Sequence, residues 1–360
     1  MQEVHVHKYF APSWPAFVMG TGGLANILWK WHAAFPVLQY PAIALAAIAL
    51  IGYVLIMTVQ LRRFSAYPEY ALRDLHDPIQ SNFYVTTGVS TIIVATSICN
   101  IWSIWIPEPA VFTVCLILWI IACAIVTWCT FYITLRNFLA REPFPDQSIN
   151  FAWLMAPIAN MAILLIGCPV TGLAMKYAPG AAMTLFTVNS AFFGIGFFLF
   201  IFVSAFVYGR FCQGQITPPA TTPTFGIFLS AIGLIAGPLH DLANNAVALQ
   251  VLDSAKTAHL LCLITWGFGI WIMLITLMIC LHHARNGGFP FKLSWWAFIF
   301  PMGAYTIASL KIMDAFPCVF TTVCSAVFTV FLTVLWIYVF INTIKGILDK
   351  SLFLGTPIEL

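Results

Sequence analysis

The stretch WWAFIFPMGAYTIASLKI, residues 295–312, is apolar enough for a membrane helix, yet it carries features that a plain membrane helix does not need. Pro301 follows Phe300 directly, and Gly303 and Ala304 share a helical face with Phe300 by the i+3 and i+4 rule. A proline removes a backbone donor and weakens the helix around it, and small neighbours leave an aromatic ring room to move. We therefore predict that Phe300 is a movable ring beside a kink.

Charged side chains are scarce in the apolar stretches, and this scarcity restricts the transport chemistry. Every Asp and Glu lies in a loop, in a tail or near the end of an apolar stretch, so the sequence offers no ring of carboxylates for a cation path. A proton-coupled carrier usually needs a buried titratable group, and the nearest candidates are His240 and Asp241. Lys311 could attract an anion to a pore mouth or could extend to the membrane interface as an anchor. The sequence leaves both roles of Lys311 open.

What remains for a pathway is a weakly polar lining of hydroxyls, amides, glycines and freed backbone groups. Such donors stabilise negative charge modestly, which favours anions. The candidate lining residues are Gly22, Asn26, Thr87, Gly88, Asn160, Ser230, Gly303 and Thr306. The alternative interpretation is that glycines and prolines only allow close helix packing.

The composition indicates an integral membrane protein. Of 360 residues, 61% are hydrophobic and 8% are charged, with a mean hydropathy of +0.95, whereas a soluble domain typically has about 25% charged residues. The formal charge of +3 is not concentrated in a tail, so no nucleic-acid partner is expected. The ten cysteines form no CxxC pair, and no Walker, HExxH or GxSxG motif is present. We expect a lipid bilayer as partner, no cofactor, no metal and no enzyme activity.

Ten stretches reach the ~20 mostly apolar residues that a membrane helix needs: 12–30, 40–61, 81–104, 110–135, 150–168, 181–209, 222–243, 257–281, 294–312 and 318–345. With ten membrane crossings, the basic residues are distributed unevenly between the two sides of the membrane. One side carries Lys8, Arg62, Arg63, Arg73, Arg136, Arg141, Arg210, Arg285, Lys292, Lys345 and Lys350, and the other carries Lys30, Lys176, Lys256 and Lys311. The positive-inside rule therefore predicts that both termini are cytoplasmic. We also expect a single transmembrane domain, residues 1–360, in the plasma (inner) membrane.

The ten stretches alternate in character. The even ones, such as 41–61 and 111–135, have large aliphatic and aromatic residues all round. The odd ones are rich in Gly, Pro, Ser, Thr and Asn, and broken backbone at membrane depth is tolerated only where it is buried in protein or lines a wet cavity. We therefore expect an all-α fold of five tandem helical hairpins, with odd helices inside around a pathway and even helices outside.

Three stretches resemble a known family. WWAFIFPMGAYTIASLKI, SWPAFVMGTGGLANILWK (13–30) and FAWLMAPIANMAILL (151–165) are similar to helices nine, one and five of the tellurite-resistance/dicarboxylate transporter family. That family includes TehA-like bacterial permeases, the fungal malic-acid permease and sulfite pump, and the slow-type anion channels of plant guard cells.

The resemblance implies a fold of ten helices in five hairpins and a homotrimer with one pore in each protomer. It also implies a phenylalanine plug, which the FPM motif places at Phe300, and kinks at Pro157, Pro238 and Pro301. The third helix has Gly88 and no proline. The function that follows is an anion channel or uniporter gated by Phe300. The alternative is a secondary carrier or exporter, proton-linked or not, of C4-dicarboxylates such as malate or of sulfite.

Overall fold

The computed structural model describes residues 3–214, 218–288 and 291–355, and that part of the chain is almost entirely helical. The ten main helices are α1 (Ala16–Trp31), α2 (Pro36–Ala66), α3 (Gln80–Ile104), α4 (Glu108–Phe138), α5 (Phe151–Tyr177), α6 (Pro179–Phe211), α7 (Thr224–Ala248), α8 (Lys256–Arg285), α9 (Leu293–Ala315) and α10 (Val319–Leu348). Helices suit this sequence because they satisfy every backbone group without water.

Nine of these helices within the described residues, α2 to α10, are long and apolar enough to cross a membrane. The chain is therefore a multi-pass, all-helical membrane protein, as predicted. Helix α1 has 16 residues, which at 1.5 Å per residue spans about 24 Å, less than the ~30 Å hydrocarbon core. Its role as a tenth membrane span remains a prediction.

The predicted boundaries differ most from the structure in α5. This helix extends to Tyr177, whereas the prediction ended at residue 168 before Pro169. The helix continues through Pro169 after an irregular turn at Ile163. Neighbouring helices in a membrane bundle can satisfy the carbonyl that an internal proline frees, so the proline did not end the helix.

Contacts between helices follow the odd and even pattern. Each odd helix packs against the even helix that follows it, which gives the pairs α1–α2, α3–α4, α5–α6, α7–α8 and α9–α10. The odd helices also contact one another in the cyclic order α1, α3, α5, α7, α9 and back to α1. The odd helices therefore form a closed inner ring.

Burial separates the two sets of helices. In the most apolar windows, 94% of the residues of α5 and 78% of those of α7 and α9 are buried, against 17% in α6 and 22% in α8. Large apolar side chains on the even helices are exposed, among them Phe131 of α4 and Phe202 of α6. The even helices therefore present the surface that suits lipid.

Tryptophan side chains join the outer helices to the inner ring. Helices α1 and α10 are connected twice, because Trp31 Nε1 donates to Thr329 Oγ1 at 2.9 Å and Trp336 Nε1 donates to Thr21 Oγ1 at 3.1 Å. Trp266 of α8 donates to Ser309 of α9 in the same way, at 2.7 Å. Interhelical hydrogen bonds of this kind stabilise membrane helix pairs, because burial alone gives little driving force between helices in lipid.

The two ends of the described chain meet on one face of the bundle. Strands β1 (Glu3–Val4) and β2 (Leu354–Gly355) pair antiparallel. On the same face, the buried guanidinium of Arg63 donates to Lys8 O at 3.3 Å and to Asp74 Oδ2 at 2.6 Å. An even number of membrane crossings would place both of these ends on one side of the membrane.

Candidate functional site

A small cavity lies where the five odd helices converge. Its lining residues are Ala16 and Met19 of α1, Phe83 and Thr86 of α3, Met155 and Ile158 of α5, Ile227 and Ser230 of α7, and Trp296, Ala297, Phe300 and Pro301 of α9. The space open to the centre of a water-sized sphere is about 20 Å³, and one water needs roughly 10–15 Å³. We call this space the central cavity. It is narrow enough to be closed to a hydrated ion.

The lining residues occupy equivalent positions on the five helices. Each helix supplies a pair spaced i, i+3, for example Met155 with Ile158 and Ala297 with Phe300, within its first turns. Residues at i and i+3 lie on one helical face. The central cavity is therefore a layer built by the same face of every odd helix at one depth.

Besides Trp296, whose Nε1 donates to Thr343 Oγ1 at 3.0 Å, Phe300 is the aromatic ring on the α9 side of this layer. Its side chain is 6% exposed, and the next residue, Pro301, lies inside α9 as predicted from the sequence. One turn further on, a methyl group added at Gly303 would meet only Leu332 Cδ2, at 3.9 Å. The backbone beside the ring therefore has room towards α10.

Ser230 supplies an uncommitted polar group to the cavity. Its side chain is 1% exposed, and its Oγ has no hydrogen-bond partner among the residues that the structure describes. The other hydroxyl in the lining, Thr86 Oγ1, already donates to Phe83 O at 2.6 Å. Leaving a buried hydroxyl unpaired costs about 1–3 kcal/mol, so the Ser230 hydroxyl gains a hydrogen bond if a ligand reaches it after the surrounding side chains move.

The remaining lining candidates with polar side chains lie at helix contacts. Asn26 donates to Ser97 Oγ at 2.8 Å, which joins α1 to α3. Asn160 donates to Thr130 Oγ1 at 2.7 Å and so faces the outer helix α4. Thr87 donates to a glutamine of α2, and Thr306 donates to a carbonyl one turn back in its own helix. None of these four residues lines the central cavity as the structure describes it.

Two of the glycine candidates, Gly22 and Gly88, also lie at contacts between helices. A methyl group added at Gly22 would lie 2.5 Å from Ile93 Cγ2, and one added at Gly88 would lie 2.8 Å from Val126 Cγ2. Both glycines therefore permit close helix packing. Of the eight candidates, the structure brings only Ser230 into the cavity with Phe300 and Pro301.

Sequence reasoning missed the apolar part of the lining, which includes Met19, Met155, Ile158 and Ile227. An ion path was expected to be polar, so the predicted lining consisted of polar and small residues. The recurring i, i+3 pair near the start of each odd helix was the signal that could have identified these positions.

The predicted kink prolines have different surroundings. Pro238 and Pro301 lie inside α7 and α9. Pro157 lies in the first turn of the helical segment Met155–Ala162, which follows a 3₁₀ turn, where the missing N–H would have no intrahelical partner. Pro169 is a further intrahelical proline that the prediction did not include.

At the opposite end of the inner ring, charged groups occur as pairs. Lys311 of α9 contacts the carboxylate of Asp241 and donates to Gly237 O at 3.3 Å, both on α7. Lys30 of α1 lies 2.8 Å from Asp314 of α9. Lys311 is thus a paired cation in the contact between two inner helices.

Comparison with known proteins identifies the family. Residues 9–344 match the family model SLAC1, described as a voltage-dependent anion channel. The chain belongs to this family. The match confirms the resemblance found in the sequence, and it establishes an anion channel and transporter family.

Three relatives with similar sequences carry names that describe transporters. An uncharacterized transporter of Methanocaldococcus jannaschii is 29% identical over 316 residues, which cover 87% of this chain and 86% of that protein. A sulfite efflux pump of Trichophyton rubrum is 25% identical over 358 residues, covering 96% of this chain and 92% of the pump. A putative malic acid transport protein of Schizosaccharomyces pombe is 25% identical over 363 residues, covering 96% and 81% of the two chains.

Proposed function

We propose that the chain conducts small anions along the axis of its inner ring, and that Phe300 is the gate. The observation that carries the proposal is the central cavity, where Phe300 meets residues of all five odd helices and little more than one water fits. Moving an anion through such a space costs several kcal/mol, because the ion loses water without gaining a partner. The ring must therefore move before an ion can pass.

The helix ends around the layer support an anion as the conducted species. The cavity lies near the N-terminal end of each odd helix, and a helix N-terminus carries roughly +0.5 elementary charge from its aligned peptide dipoles. Ser230 adds a hydroxyl that is free to donate. Among the described residues that line the cavity, none is a carboxylate.

The experiment is anion conductance of purified protein in planar bilayers, wild type against Phe300→Ala. A barrier lowered by several kcal/mol changes conductance by well over tenfold, since ~1.4 kcal/mol corresponds to a factor of ten. Phe197→Ala is the matched control, because Phe197 lies on the outer helix α6 and stacks on Phe193. Equal conductance of the folded Phe300→Ala variant and the wild type would refute the gate.

A second candidate function is a carrier for C4-dicarboxylates or sulfite, which the names of the fungal relatives favour. It predicts saturable malate or sulfite uptake into proteoliposomes, with a response to an imposed pH gradient if transport is proton-linked. Flux that rises linearly with concentration and ignores pH would exclude it.

We also propose the homotrimer that the family resemblance implies, in the plasma (inner) membrane with both termini cytoplasmic. Native mass spectrometry tests the assembly, since a trimer has three times the 39.9 kDa mass of the chain.

A further inference from the structure

A deep apolar groove lies behind the gate, on the lipid side of α9. It occupies about 360 Å³ between the outer helices α8 and α10. Leu274 and Leu277 of α8 form one wall, Val327 and Phe331 of α10 form the other, and Pro301 of α9 lies at its floor. We call this space the α8–α10 groove.

The groove opens towards lipid. Each of its four wall side chains, Leu274, Leu277, Val327 and Phe331, is between 48% and 55% exposed. Apolar side chains that are exposed on the outer helices of a membrane bundle contact hydrocarbon. The natural occupant of an apolar groove there is an acyl chain.

The floor connects the groove to the gate. Pro301 lines both the α8–α10 groove and the central cavity, and Met302 follows it in the groove. Two other grooves of similar size lie between outer helices in the described part of the chain, and neither of them shares a lining residue with the central cavity. An occupant of the groove therefore touches the segment that carries Phe300, from behind.

The basic residues at one end of the groove and the length of the groove match one leaflet of a bilayer. Arg285 ends α8 and Lys292 precedes α9, so both side chains are at the end of the groove marked by Cys280 and Trp295, and both are exposed. Met273 is the groove residue of α8 that lies farthest from Arg285 along the sequence. Between these two residues the helix rises about 18 Å at 1.5 Å per residue. Half of a ~30 Å hydrocarbon core is about 15 Å, so a phosphate at Arg285 places its acyl chain along the groove.

We propose that the α8–α10 groove binds one acyl chain of a phospholipid whose phosphate contacts Arg285 and Lys292, and that the bound chain holds Phe300 in the central cavity. For the ring to leave the axis, the Pro301–Met302 backbone moves outwards, and the chain occupies the space into which it moves. The effect on gating rests on the proposed function, whereas the binding site does not.

The binding site is tested by photolabelling in vesicles of phosphatidylglycerol that contain a small fraction of the same lipid with a diazirine in its acyl chain. We expect Met273, Leu277 and Phe331 to be labelled several-fold more than Ile120 and Phe131, which are lipid-exposed on α4. Arg285→Gln combined with Lys292→Gln should lower the groove labelling and leave the α4 labelling unchanged.

Two outcomes overturn the site. Equal labelling of the groove and of α4 means ordinary contact with bulk lipid. Crosslinks between two chains at groove residues, in place of lipid adducts, mean that a second copy covers the groove.

The gating effect is tested with a groove-filling variant, Leu277→Trp, whose control is Ile120→Trp on α4. Leu277→Trp should exclude the lipid label and lower anion conductance several-fold, and it should have no effect in the Phe300→Ala background because the ring is gone. Conductance equal to that of the control overturns the coupling. If Phe300→Ala itself leaves conductance unchanged, the proposed gate fails, while the labelling result still decides the lipid site.

Discussion

Phe300 of α9 and Ser230 of α7 line the same small cavity from adjacent helices of the inner ring. Phe300 contributes an aromatic ring to the layer, and Ser230 carries a hydroxyl with no partner in the described chain. If the ring is the gate, the hydroxyl is a donor for a passing anion once the ring has moved. This arrangement separates the roles of the two residues experimentally.

Ser230→Ala should weaken anion passage without harming the fold. A hydrogen bond to a charged group is worth about 1.5–3 kcal/mol, so in the open Phe300→Ala background conductance should fall about tenfold or more. Thermal stability should stay the same or rise, because the substitution removes a buried hydroxyl that had no partner. The measurements are bilayer conductance and thermal unfolding in detergent.

Thr306→Val is the matched control for this prediction. Thr306 is fully buried on α9, and its hydroxyl donates to Met302 O at 2.7 Å. We expect Thr306→Val to leave conductance nearly unchanged. A loss of stability in Ser230→Ala, with conductance intact, would show that the hydroxyl has a structural partner.

Lys311 and Asp241 should behave as a structural pair. Lys311→Met leaves the carboxylate of Asp241, only about a quarter exposed, beside His240 but without its lysine, and an uncompensated buried charge destabilises strongly. The unfolding temperature should fall by several degrees, and Asp241→Asn in the same chain should restore part of it. A double-mutant cycle measures the coupling. If Lys311 instead acts as a free charge at a pore mouth, Lys311→Met lowers anion conductance while stability is unchanged.

Asn160→Ala tests the difference between a pore residue and a contact residue. The sequence made Asn160 a lining candidate, but its amide donates to Thr130 Oγ1 and to Ala156 O, both at distances below 3 Å. Interhelical hydrogen bonds in membrane proteins average about 0.6 kcal/mol, so a modest loss of stability is expected, with ion selectivity unchanged. Altered reversal potentials in mixed-anion solutions would return Asn160 to the pathway.

The helices and their inner or outer positions could be predicted because they depend on composition alone. A stretch such as α4 has no glycine and no proline beyond its first turn, whereas α7 carries Pro238 in its interior. Backbone broken in this way is tolerated at membrane depth only where it is buried in protein or lines a cavity. Alternation of these two types along the chain was enough to predict the inner ring, which the helix contacts reproduce.

The direction of each side chain could not be predicted in this way. Thr86 lines the cavity, while its neighbour Thr87 bonds to Gln60 of an outer helix. Consecutive residues point in directions that differ by about 100° around a helix with 3.6 residues per turn. This difference separates the two environments. In a helix that is buried on all sides, no polar face indicates that rotation, so the position of a Ser, Thr or Asn alone does not identify a lining residue.

Gly233 is the position where the inner ring should be least tolerant of a side chain. A methyl group there would lie 2.6 Å from Tyr305 N and 2.7 Å from Ala304 C, which are backbone atoms of α9. Backbone atoms cannot rotate away, so Gly233→Ala must separate α7 from α9. These two helices carry Ser230 and Phe300, so the separation disturbs the cavity as well as the fold. We expect a clearly lower unfolding temperature and a leak of anions through the wild-type gate.

Gly267→Ala on the outer helix α8 is the control, since a methyl group there meets nothing within 4 Å. Alanine is about 1 kcal/mol better than glycine in a helix interior, so Gly267→Ala should be neutral or slightly stabilising and should not leak. The two variants make the same chemical change, and they differ only in what surrounds the added methyl group. If both lower stability equally, the cost lies in the helices themselves, and the close approach of α7 and α9 does not set the width of the central cavity.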